Sequence, residues 1–146
     1  MKTFLTGLVL VALAAVLIAQ PVAAQTGVDI KKALETAIFH SGELAQRGTA
    51  IAGTRTHLQH VINCLQGPDG KDFVQAVGFP CQGMGNGIIP DLKASSAQGA
   101  AKALQYSQIS LILAQQAITF NDVNAAQPWA KVISGQLTIA LNALGK

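Results

Sequence analysis

The chain has 146 residues, half of them hydrophobic, with ten Lys and Arg against seven Asp and Glu and a formal charge of +3. That length allows one domain. Beyond Lys2 the basic residues are Lys31, Lys32, Arg47, Arg55, Lys71, Lys93, Lys102, Lys131 and Lys146, scattered without a cluster or interleaved aromatics, so nucleic-acid binding has no footing.

Residues 1–24 read as a secretory signal peptide. Lys2 precedes the apolar run "LTGLVLVALAAVLI" from Leu5 to Ile18, and "QPVAA" places Val22 and Ala24 before a cut at Gln25. The run is shorter than the roughly 20 residues a membrane span needs. The expectation is a mature chain of 25–146, periplasmic or secreted, forming one helical domain with no membrane span after cleavage. Losing Lys2 leaves nine basic and seven acidic side chains, a formal +2.

From Val28 to Gln66, apolar or small residues recur at Ile30, Leu34, Ala37, Ser41, Leu44, Gly48, Ile51, Leu58, Ile62 and Leu65, in alternating steps of four and three with Arg55 as the misfit. Asp29 suits an N-cap, and Gly67 followed by Pro68 is a stop. "RGTAIAG" between Arg47 and Gly53 holds two glycines but no proline and no strong turn dipeptide, which favours one continuous helix over a hairpin.

Residues 67–95 are dense in Gly, Pro, Asn and Asp, and read as a long connection with a short helical turn near Phe73 to Val77. Helix is expected again from Ser95 or Ser96, with Leu104, Leu111 and Ile118 on one side and Tyr106, Ile109, Leu113 and Phe120 on another. Apolar residues on two sides imply a central helix or a contact with another copy or a partner protein. Asn121 or Asp122 caps a last helix, which Pro128 opens or kinks. Its expected buried face is Trp129, Val132, Ile133, Leu137, Ala140, Leu141 and Leu144. With no strand-like alternation anywhere, the fold class is all-α, a three- or four-helix up-down bundle with a long disulfide-tethered loop.

The chemistry-bearing residues are few. Cys64 at a helix end and Cys81 in the loop form the simplest disulfide of an exported chain, closing a loop worth roughly 3 kcal/mol. The rival reading makes both thiolates metal ligands beside His57 and His60. Those two histidines lie one helical turn apart and can share a transition metal ion, zinc or copper, or supply bis-histidine ligation to a haem. No Cys-x-x-Cys-His is present for covalent haem attachment. His40 lies about 26 Å from His57 along a straight helix, and joins the pair only if the chain turns back near Thr49. The bland alternative for all three is a solvated polar stripe.

Other patterns fall short. "GMGNG" lacks the strand, the helix and the Gly-Lys-Ser/Thr of a phosphate loop, and "PDGKD" lacks the oxygen ligands of a calcium loop. There is no Gly-x-Ser-x-Gly elbow, and Glu35 and Glu43 stand about 12 Å apart along one helix. The chain is therefore expected not to be an enzyme.

"AIFHSGELA" and "THLQHVINCL" within Val28 to Gln66 resemble the Ala- and His-bearing helices of small periplasmic metal-binding proteins of bacteria, which are four-helix bundles. The resemblance implies one metal site, with His57 and His60 as its matching positions and His40 as a third. Those proteins carry many histidines in repeated segments, whereas this chain has three. "HxxHxxxC", "FPC" and "GxGNG" also resemble uncharacterised exported bacterial helical proteins, which imply no function.

Overall fold

Helix ends depend on where unpaired backbone groups find partners, and the first and last helices among the described residues begin at side-chain caps. The computed structural model describes residues 28–145, so the expected signal segment lies outside the described residues. These contain α1 (Ile30–Gly42), α2 (Ile51–Gln66), α3 (Ile88–Ala94), α4 (Ala100–Ala117) and α5 (Val123–Ala143), with 3₁₀ turns at Leu44–Gln46 and Gln75–Val77 and no strand. The all-α bundle is present, built from four long helices and the short α3. Asp29 caps α1 by accepting from the Lys32 amide, and Asp122 caps α5 by accepting from the Asn124 amide. α2 stops at Gly67, whose φ of 72° and contact with the Asn86 carbonyl leave no room for a side chain.

The continuous helix expected over 28–66 is in fact two. Gln46 turns its side-chain amide back onto α1, donating to the carbonyls of Ser41 at 3.2 Å and Gly42 at 2.6 Å, and so closes the helix. On the other side of the break, the buried Thr54 hydroxyl donates to the Ala45 carbonyl at 3.0 Å and ties the turn to α2. Ala45 rather than Gly48 is the buried residue there. Arg55, the misfit in the seam, reaches the far end of α4, where its guanidinium donates to the Phe120 carbonyl at 3.0 Å and to Asn121 at 2.5 Å.

Leu34, Leu58, Ile62, Leu65, Ile88, Ile133 and Leu137 are fully buried and form the centre of the core. Two faces differ from expectation. In α4 the buried stripe is Ala100, Ala103, Ser107, Ser110, Ala114 and Ala117, with Leu104, Leu111 and Tyr106 only partly buried beside it. α5 answers with Ala126, Ala130 and Ala140 around Ile133 and Leu137, while Trp129 and Val132 are 37% and 51% exposed. Small residues on both helices allow close approach, which turns the larger side chains outward. Pro128 lies inside α5 rather than at its start.

The expected connection over 67–95 is held in place along its length. It contains the 3₁₀ turn at Gln75–Val77 and, unforeseen, α3, whose Ile88, Ile89 and Leu92 enter the core. Cys64 and Cys81 are joined in a buried disulfide, their Cα atoms 5.3 Å apart. Both sulfurs are thus bonded, and the reading in which they ligate a metal is overturned. A disulfide fits an oxidising, extracellular-type environment. Among the described residues no helix is long and apolar enough to cross a membrane.

Candidate metal centre

Because the chain turns back between α1 and α2, His40 in the last turn of α1 comes level with His57 and His60 on α2. The Nδ1 atoms of His40 and His60 are 3.1 Å apart, and those of His40 and His57 3.3 Å apart. One ligand atom from each of the three can be chosen so that all lie within 4.8 Å of one another. The rings are in mutual contact, with centroids 4.7 Å apart for His40 and His60, 5.4 Å for His40 and His57, and 5.5 Å for His57 and His60. Nitrogens bound at about 2.0–2.1 Å in a tetrahedron around zinc stand about 3.3 Å apart, which is close to the spacing of the two His40 pairs.

Protonation states follow from the partners. His60 Nε2 lies 2.8 Å from the Val77 carbonyl oxygen. A carbonyl only accepts, so Nε2 carries the proton and Nδ1 offers a lone pair towards His40. Bare lone pairs at 3.1–3.3 Å repel each other. Something positive must stand between them, and with His60 Nδ1 accepting, a proton on His40 Nδ1 would fill that role for both neighbours. A metal ion can replace that single proton, with His40 moving its proton to Nε2.

Burial makes the charged forms unfavourable. The pKa of His40 falls from 6.5 to about 4, chiefly because the ring is partly buried and further because His60 and His57 stand beside it. His57 is lowered too, by burial first and by His60 second. Neutral imidazoles near pH 7 are the form that binds transition metals. Phe39 sets its exposed ring edge-on against His40, with centroids 6.1 Å apart.

All three histidines singled out in the sequence are therefore brought together, and His40 joins the pair by the less expected route. Sequence reasoning missed the contribution of the 74–78 turn and of Asn63, which holds it. A short turn near Val77 was expected, but nothing in its composition marks one carbonyl as a histidine partner. No carboxylate or thiol joins the three histidines among the described residues. Compared with known proteins, the chain matches no family model, no curated protein and no solved structure.

Proposed function

We propose that this is an exported, non-catalytic helical-bundle protein that binds one transition metal ion, zinc or copper, through Nδ1 of His40, His57 and His60. The observation that carries the reading is the convergence of three imidazole nitrogens at 3.1 and 3.3 Å with His60 Nε2 already committed to a carbonyl. Such a hydrogen bond behind a ligating imidazole fixes its tautomer and raises its basicity. The mutual contact of the rings favours a bare ion over haem, since a porphyrin between axial ligands would have to part them. All three ligands are partly rather than fully buried, which suits an ion that is taken up and handed on. The signal-like residues 1–24 and the disulfide support export to a periplasmic or extracellular space. The resemblance to small periplasmic metal-binding bundles agrees with this reading.

Isothermal titration of the mature protein with zinc and with copper(II) tests it, alongside the His57→Ala/His60→Ala double variant and His40→Ala. A one-to-one site of micromolar affinity or better is expected in the wild type and absent from the double variant, with His40→Ala weakened. Binding that ignores all three substitutions would refute it.

A second reading rests on the outer face of α4 and α5. Ile109, Ile112, Trp129, Val132 and Ile139 are exposed there, and Leu113, Pro128, Trp129 and Val132 line an apolar groove of about 320 Å³. A structural protein associating through this face would lose self-association or partner binding on Ile109→Glu and keep it on His57→Ala/His60→Ala. The metal reading expects the reverse pattern of losses in metal binding.

A further inference from the structure

The turn that receives His60 is held by one side chain. Asn63 lies one helical turn beyond His60 on α2 and is fully buried. Its amide nitrogen donates to the Val74 carbonyl at 3.0 Å and to the Gly78 carbonyl at 2.6 Å. Its oxygen accepts from the Val74 amide at 3.0 Å and from the Gln59 side chain at 3.0 Å. Both donors and both acceptor positions are therefore used, and three of the four bonds go to the two ends of the 74–78 turn. The Val77 carbonyl lies between those ends. Gly78 lies beside the ring, where an added Cβ would stand in ordinary contact 3.4 Å from His60 Nε2, and its φ of 106° is a conformation that residues with side chains rarely adopt. Gln59, which also bonds Asn63, holds the chain just before the turn, donating to the Asp72 carbonyl at 2.8 Å. Three residues after Gly78 the chain is anchored to α2 again by the disulfide.

We infer that Asn63 is a positioning residue for the metal centre: by holding the 74–78 turn it presents the Val77 carbonyl to His60 Nε2 and so commits His60 Nδ1 to the ion. The inference rests on the metal reading and adds an outer layer to it. Asn63 touches no metal and acts only through Val77 and His60. Without it the turn loses its attachment to α2, His60 is free to place its proton on either nitrogen, and the ligand set is correct only part of the time. Partners of this kind behind a ligating histidine are typically worth 10–100-fold in metal affinity.

Asn63→Asp is the informative variant, because it keeps the volume and the acceptor for the Val74 amide but replaces the donor with an oxygen facing two carbonyls. Asn63→Ala removes both functions. Two readouts are needed: affinity for zinc alone, by competition with a chromogenic chelator, and the tautomer of His60 in the metal-free protein, from ¹⁵N chemical shifts. Ile133→Val, a core change in α5, serves as a control that lowers stability without touching the turn. The expected result is an Nε2–H tautomer in the wild type and in Ile133→Val, a mixture in both Asn63 variants, and zinc affinity reduced 10–100-fold in the Asn63 variants only. If the Asn63 variants do not fold, Gly78→Ala, which disturbs the same turn from its other end, should give the same mixture and loss. Zinc bound tightly by the wild type and equally tightly by folded turn variants would overturn the role of Asn63 and leave the metal reading standing. A wild type that binds no zinc and no copper would sink both.

Discussion

Acid should weaken the metal-free protein over a window set by His40. Its pKa is 6.5 when unfolded and about 4 when folded. Below pH 6.5 the unfolded chain takes up a proton that the folded chain refuses, so stability declines as pH falls and levels off near pH 4. The difference of about 2.5 units corresponds to a ceiling of roughly 3 kcal/mol. Because the ring is only partly buried, solvent screening cuts this to about 1–2 kcal/mol. His57, lowered by the same causes, acts in the same direction. Urea denaturation with a chelator present, at intervals from pH 7.5 to 4, would measure it in the wild type and in His40→Asn. Carboxylates contribute below about pH 5 in both proteins and cancel in the difference. The gap between the two curves should change by about 1–2 kcal/mol between pH 7 and 4, with the wild type the more acid-sensitive. Parallel curves would refute the claim that burial beside two imidazoles keeps His40 neutral.

Zinc or copper(II) at 100 times its dissociation constant should stabilise the folded chain by about 2.7 kcal/mol, seen as a raised melting temperature that the His57→Ala/His60→Ala variant lacks. Replacing Cys64 and Cys81 together with Ala should cost about 3 kcal/mol from the released loop. It should also weaken metal binding, because that loop carries Val77, and denaturant midpoints with chelator competition would check both effects. Gly67→Ala should destabilise by at least about 1–3 kcal/mol, since φ 72° with ψ 178° is a glycine conformation and the Asn86 carbonyl lies against it. Thermal unfolding would show the loss, and an unchanged midpoint would mean that the α2–α3 junction is looser than described.

The elements legible in the sequence were those written as periodic patterns or capping chemistry. The seam through Leu34, Ala37 and Ser41, and again through Leu58, Ile62 and Leu65, is buried as its spacing implies. Asp29, Gly67 and Asp122 mark the ends they were expected to mark. The break after Gly42 was not legible, because Gln46 and Thr54 make it by bonding side chains to backbone across the turn, and such bonds leave no periodic trace. The faces of α4 and α5 misled for another reason. A stripe of Ala and Ser buries well between close helices but contributes little to amphipathic contrast, so the larger Leu104 and Leu111 mark the apolar side of α4, and Trp129 and Val132 the expected inner face of α5, more strongly than the small residues that are buried. α3 was hidden because seven residues beginning "IIP" inside a Gly- and Pro-rich stretch are too short for a period to show.

The less expected break and the candidate site have a common cause. Had residues 28–66 formed one rod, His40 would stand about 26 Å from His57, and no side-chain movement could close that gap. The reversal puts one ligand on α1 and two on α2, while the hydrogen bond behind His60 comes from a third piece of chain, the disulfide-anchored turn. An ion held by all three imidazoles would link α1 to α2, and Val77 would tie the turn to the same centre. Its binding energy would then favour the hairpin over any straighter arrangement of 28–66, because only the hairpin offers three nitrogens at once. Without such an ion, a single Nδ1 proton between nitrogens 3.1 and 3.3 Å apart would have to serve for all three. The α1–α2 turn is therefore where metal occupancy and the stability of the fold should be most closely coupled.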